Sequence, residues 1–266
     1  MKTIKNFLLG LIMGLSNLVP GVSAGTIAVI SGKYDDIINS ASELFSLKFS
    51  KKIFILLLPL FLGIIIAIIA FSNVIVLIME QYKTELMNTF VGLILGGLFL
   101  IFKEINIKKS SNIISFLVGF SFFIIIFFFL PEESSNNTNF INLFFGGAIG
   151  AAAMVLPGIS GSSMLLIMGI YSPVLEAIGN IDFSILIPVG IGVIFGIIFI
   201  IKLLNLLLKK YYQIIMSILL ALTLSGGIKI LPITNNYFSY LFIFIGLVLG
   251  ILLEKFFKTE NKKEKA

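Results

Sequence analysis

The 266-residue sequence contains no cysteine, histidine, tryptophan or arginine, and only 12% of it is charged. Without cysteine there are no disulfides, thiolate nucleophiles or Cys-ligated metals; without histidine there is no imidazole ligand or base. Redox and zinc enzymology are thereby excluded, and no cofactor or metal site is expected. The 19 basic residues are all lysines, lying mostly between apolar segments and in the C-terminal tail, which speaks against a nucleic-acid partner. Soluble domains are about a quarter charged. Half that, with 58% hydrophobic residues and a mean hydropathy of +1.12, places the chain in a bilayer.

Eight stretches carry no charge at all: 6–32, 53–79, 86–102, 110–131, 134–175, 183–201, 211–228 and 230–253. About 20 helical residues cross the hydrocarbon core, so most of these suffice, and little sequence is left for a soluble catalytic domain. The first stretch follows Lys2 and Lys5 but is long for a signal peptide and has Pro20-Gly21 at its centre; it is read as retained.

The lysines discriminate between topologies. Eight simple spans divide them 11 inside and 8 outside, hardly a bias. If segments 7–32 and 142–170 instead dip in and return to their own side, six spans remain and only Lys83 and Lys229 fall outside. That arrangement obeys the positive-inside rule, with both termini cytoplasmic. The seven tyrosines sit at or near segment ends, as an interfacial belt would.

The two re-entrant segments are copies. A shift of 137 pairs Leu18-Val-Pro-Gly-Val-Ser-Ala-Gly-Thr26 with Val155-Leu-Pro-Gly-Ile-Ser-Gly-Ser-Ser163, and eight of the 25 positions from Gly10 to Tyr34 are identical. After a gap the match continues through Pro59 and Gly63 beside Pro188 and Gly192, Gly97 beside Gly226, and Gly119 beside Gly246. The expected fold is an all-α polytopic membrane protein of two inverted repeats, each one re-entrant helical hairpin plus three transmembrane helices. An odd number of crossings turns the second copy over, as in many secondary transporters. Repeat 1 is about 1–131, repeat 2 about 132–257, and 258–266 a Lys-rich cytoplasmic tail.

Each hairpin tip has the same chemistry. Pro20 or Pro157 stops the first half-helix, and Gly21 or Gly158 supplies a turn other residues would strain. Ser23 or Ser160, a strong N-cap type, follows. Small or hydroxylated residues come next: Gly25 and Thr26 in one copy, Gly161, Ser162 and Ser163 in the other. Free N–H groups and hydroxyls at such a tip suit an anion such as phosphate. Irregular backbone at this depth must lie in protein or line a wet cavity. The glycine pairs Gly10/Gly14, Gly92/Gly96, Gly192/Gly196 and Gly246/Gly250 are read as close helix packing.

Val19-Pro-Gly-Val-Ser-Ala-Gly-Thr26 with Gly32-Lys-Tyr34, and Leu156-Pro-Gly-Ile-Ser-Gly-Ser162 with Met168-Gly-Ile-Tyr171, resemble the paired signatures of the PopT-type undecaprenyl-phosphate translocase family. The chain departs from that pattern at Asn17, Ala24, Gly227 and Leu231. The resemblance implies transport of the lipid carrier undecaprenyl phosphate from the outer to the inner leaflet of a prokaryotic cytoplasmic membrane, recycling it for peptidoglycan and other envelope polymers. A polyprenyl-phosphate lipid and the surrounding membrane lipids are then its partners. Lys229, near the outer end of its span, is the candidate for capturing the phosphate. The rival reading is a transporter or channel for a small soluble anion. An enzyme is disfavoured, since no paired carboxylates sit at catalytic spacing.

Overall fold

The computed structural model describes residues 2–19, 21–102, 105, 106, 108–129, 138–232 and 237–258. All regular structure in them is helical, in the order α1 (Lys2–Asn17), α2 (Ala24–Ile30), α3 (Tyr34–Leu44), α4 (Lys51–Phe102), α5 (Ser110–Ile124), α6 (Phe140–Val155), α7 (Gly161–Ile167), α8 (Tyr171–Asn180), α9 (Phe183–Ile230) and α10 (Leu241–Lys258). A π turn, Ile125–Phe129, extends α5, and a 3-10 turn, Tyr237–Tyr240, precedes α10. Helices α6 to α10 thus repeat the order of α1 to α5. The junction at 131/132 and the tail from 259 lie outside the described residues.

Among the described residues, four helical runs are long and apolar enough to cross a membrane: Lys51–Phe99, Ser110–Phe127, Phe183–Ile230 and Tyr237–Phe257. Helices α7 and α8, bent by 114°, form a further broken pair. At 1.5 Å per residue the two longest runs would each extend roughly 70 Å, more than twice the hydrocarbon thickness. Neither is straight. Tyr82 breaks α4 at φ −134°, ψ 37°, and Tyr211 breaks α9 at φ −131°, ψ 45°.

At Tyr82 the chain reverses. The Asn6 amide donates to the Ile55 carbonyl at 2.9 Å, tying the start of α4 to the first turns of α1. Lys5 Nζ donates to the Phe256 carbonyl at 3.2 Å, tying the end of α10 to the same turns. Gly250, upstream on α10, lies against Leu93 and Gly97, so the far arm of α4 has returned to the face it left. Spans 53–79 and 86–102 are therefore two antiparallel arms of α4 joined at an elbow. Tyr211 is the matching elbow of α9, beside which Gln213 holds Asn112 and the Asn106 N–H.

Hairpin bases lie at opposite ends of this bundle. Lys2, Lys33 and Lys52 line one cavity of about 210 Å³ with Asp36 and Asn39, so α1 begins where α2 ends. Thr138, Ser172, Glu176 and Asp182 line another, of about 380 Å³, beside the start of α9. The first arm of α9 runs from there to Asn205, whose amide donates to Ser42 Oγ of α3 at 2.9 Å. That is 23 residues, or about 34 Å.

Glycine sets the helix pairs. A β-carbon at Gly10 would strike the Leu60 carbonyl, at Gly192 that of Phe144, at Gly92 that of Ile243, and at Gly246 that of Thr89. Gly14, Gly96, Gly196 and Gly250 meet backbone in the same way, as expected. Thus α1 packs on the first arm of α4 and α6 on the first arm of α9. The closing helices are exchanged: Gly119 of α5 lies on Ile218 and Ala221 of α9, and Gly246 of α10 on Thr89 and Leu93 of α4. In the lipid-facing remainder large apolar side chains are exposed, Ile69, Phe99, Ile194 and Phe244 among them.

Two features depart from the sequence reading. Residues 34–44 and 171–180, which follow the re-entrant segments 7–32 and 142–170 and belong to none of the six spans, are the helices α3 and α8. Tyr34, counted into an interfacial belt, is buried, and its hydroxyl donates to the Val155 carbonyl at 3.1 Å.

Candidate functional site

Between α1 and α2, and again between α6 and α7, the chain turns on a glycine at positive φ: Gly21 at 84° and Gly158 at 77°. An L side chain is strained there. The first half-helix cannot continue, and the next starts from a serine in extended geometry. Ser23 Oγ accepts from the Thr26 N–H at 3.2 Å, and Ser160 Oγ accepts from the Ser163 N–H, also at 3.2 Å. Both are N-caps, as their residue type predicts. Pro20 lies outside the described residues; Pro157 is buried.

The tips meet through backbone. Gly158 N–H donates to Thr26 Oγ1 at 2.9 Å, and a β-carbon at Gly25 would lie 2.8 Å from the Val155 carbonyl oxygen. Thr26, Gly25 and Gly158 thus join one hairpin to the other. The second arm of α9 closes over both: Gly158 is pressed against Leu222 and Gly226, and Gly21 against Ile230.

One cavity of about 470 Å³ reaches both caps, with Asn17, Ser23, Ser160, Gly161 and Ser162 as its polar lining. The two caps contribute unequally. Ser23 is 5% exposed, and its hydroxyl pairs with that of Thr26 at 3.1 Å. Ser160 is half-buried and anchors a cluster, 2.7 Å from Ser163 Oγ and 3.3 Å from Ser162 Oγ, with Ser162 exposed. The remaining wall is apolar, from Met154, Val155, Leu165, Val193 and Ile197. Every described lining residue is uncharged, so the hydroxyls and amide are what it offers a ligand. Exposed Asn17, Met154 and Ser162 mark its mouth.

Of the residues predicted for the site, Ser23, Ser160, Gly161 and Ser162 line this cavity; Ser163 is one hydroxyl removed; Gly21, Gly25, Thr26, Pro157 and Gly158 shape the tips behind it. Lys229 is not a lining residue: its ammonium lies 3.8 Å from the Phe127 ring centroid, a cation–π contact. Asn17 was noted only as a departure from a family pattern, yet its Oδ1 accepts the Ala24 N–H at 2.8 Å and caps α2 from seven residues upstream. No short-range spacing rule would find that contact. The α9 wall was equally hidden, because its residues look like any lipid-facing span.

A family model described as "VCA0040-like: Undecaprenyl phosphate translocase-like" matches residues 13–243. The chain is 33% identical over 244 residues to a polyprenyl-phosphate transporter of Vibrio cholerae serotype O1, covering 87% of this chain and 79% of that protein. It is 31% identical over 269 residues to a polyprenyl-phosphate transporter of Staphylococcus aureus, covering 93% and 95%. No solved structure matches it.

Proposed function

The chain belongs to the undecaprenyl phosphate translocase-like family, and from that premise we propose that it carries undecaprenyl phosphate across the cytoplasmic membrane, from outer to inner leaflet, by holding the phosphate at the paired serine tips. It translocates the lipid and does not convert it. The observation that carries the mechanism is one cavity touching both caps, with exposed Asn17, Met154 and Ser162 at its mouth.

An unpaired phosphate in hydrocarbon costs many kcal/mol. Ser160, Ser162 and Ser163 provide a hydroxyl cluster at one tip and Ser23 a hydroxyl at the other, with the Gly161 backbone between Ser160 and Ser162. Such neutral donors lower the barrier without a fixed countercharge that would trap the ligand, and transport needs weak, multi-point binding. Lys229, exposed near the end of α9, would attract the headgroup before it enters.

In this reading the halves, about 1–131 and 132–257, are inverted copies with both termini cytoplasmic. Support comes from glycine contacts recurring at equivalent positions, elbows at both Tyr82 and Tyr211, and hairpin bases at opposite ends of the first α9 arm. The lysine distribution orients the whole. Exchange of α5 and α10 lets each half move only with part of the other, so rocking of the halves would reshape the cavity.

The test is the amount of undecaprenyl phosphate exposed outside cells depleted of this protein and of any redundant recycler, read with an outside-only ligand for the carrier. Accumulation reversed by re-expression is expected. Unchanged exposure with reduced uptake of a small anion would instead favour a soluble-anion transporter.

A further inference from the structure

The cavity at the serine caps has far more room than a phosphate group fills, and the surplus is apolar. Its volume is about 470 Å³, whereas a water molecule's share of the liquid is about 30 Å³. Beyond Ser160 the space is bounded by two helix faces. Val189, Val193 and Ile197 recur every four residues along one face of the first α9 arm, and Gly147, Gly150 and Ala151 lie on the adjoining face of α6. Small residues on α6 let the two helices touch along this surface, a β-carbon at Gly147 striking the Val189 carbonyl, so the two faces lie side by side as one apolar wall. Ala151 is 5% exposed, and a β-carbon at Gly150 would already sit 3.2 Å from Leu165 Cδ2.

The mouth is polar on one side and apolar on the other. Asn17 and Met154 occupy equivalent positions of the 137-residue repeat, and both are exposed. Asn17 is tied to the polar tip through Ala24. Met154 belongs to α6, whose small residues line the apolar space.

We propose that this apolar arm of the cavity, lined by Gly150 and Ala151 of α6 and Val193 and Ile197 of α9, is the subsite for the first isoprene units of the lipid while its phosphate is at the serine caps. The inference rests on the phosphate-lipid reading and adds where the lipid's stem lies. Hydrophobic attraction is not the cause, because a prenyl chain leaving lipid for this arm exchanges one apolar surround for another. The reason is covalent: once the phosphate is inside the mouth, the carbons bonded to it are inside too, and they need an uncharged surface with no unpaired donors or acceptors. The arm supplies that surface directly beside the hydroxyl cluster. A distal tail stays in the bilayer and needs no protein contact.

The test uses the full-length protein in proteoliposomes with two photoactivatable polyprenyl phosphates, one diazirine in the first isoprene unit and one at the tail end. The first probe is expected to label peptides spanning 147–165 or 189–197; the tail probe should label lipid. Excess unlabelled undecaprenyl phosphate should suppress the first labelling, and excess phospholipid should not. Val193→Phe, which fills the arm from a half-buried position, should lower both this labelling and lipid transport at least tenfold while leaving the melting temperature near wild type. Suppression by phospholipid would make the arm an ordinary acyl-chain groove and overturn the proposal. So would first-unit labelling elsewhere in a protein that still transports. If neither probe competes and no phosphate lipid moves, the functional reading itself fails, and the subsite with it.

Discussion

Thr26 and Gly158 lie 132 positions apart in the chain, yet the hydroxyl of one accepts the backbone N–H of the other at 2.9 Å, with both residues buried. The geometry of the second tip is therefore set partly by a side chain of the first. Ser23 completes the link, its hydroxyl 3.1 Å from that of Thr26. Two half-helices that each look like an independent anion site are one assembly.

Thr26→Val keeps the shape of the side chain and removes the acceptor, stranding a buried N–H. Such a group costs about 1–3 kcal/mol. A lower melting temperature in detergent is expected, together with reduced lipid transport, while Thr26→Ser restores both. If Thr26→Val melts and transports like wild type, the link between the tips is dispensable.

The serine caps should respond unequally. Losing an N-cap costs about 1 kcal/mol, so Ser23→Ala and Ser160→Ala both insert and fold. Ser23 is almost wholly buried beside Thr26, whereas Ser160 faces the cavity with Ser162. Transport by Ser160→Ala is expected to fall several-fold further than by Ser23→Ala, and the double variant to be lowest. Equal losses, measured as flipping rates in proteoliposomes, would argue against this division.

Much of this was legible because the tips use residues with few alternative meanings: proline ends a helix, glycine takes positive φ, serine caps, and the whole pattern occurs twice. What escaped the sequence had no local signal. The turns at Tyr82 and Tyr211 fall where charge interrupts the apolar stretches, as read, but that each is a single non-helical residue within a helical run was hidden, because nothing about tyrosine announces so sharp an elbow. Helices α3 and α8 are too short and polar to stand out from the loops around a bilayer. Tyr34 ends a segment, as an interfacial tyrosine does, but pairing with Val155 takes it inside. The exchange of α5 and α10 depends on which glycine faces which helix, which no single-chain periodicity records.

Two glycines two positions apart on α9 make a packing control. A β-carbon at Gly192 would strike the Phe144 carbonyl of α6, whereas one at Gly190 meets nothing within 4 Å. Gly190→Ala should be neutral or stabilise the helix by up to about 1 kcal/mol. Gly192→Ala must push α6 from α9, at a cost of about 1–3 kcal/mol, and deforms the cavity they line. The expected result is near-wild-type melting and transport for the first and a clear drop in both for the second. Similar behaviour of the two would contradict the helix contact.

Asn17 separates capping from charge. Its Oδ1 accepts the Ala24 N–H at the mouth of the cavity, and a carboxylate would serve that helix end at least as well. Asn17→Asp should therefore fold normally. The introduced carboxylate, however, stands at the mouth the phosphate must pass, and like charges repel. Protonation abolishes that repulsion, so flipping by the variant is expected to fall as pH rises and to recover on acidification, when compared at each pH with wild type in the same vesicles. A constant ratio of variant to wild type across the range would mean that the phosphate does not pass Asn17, and the mouth of the cavity would have to lie on its Met154 side alone.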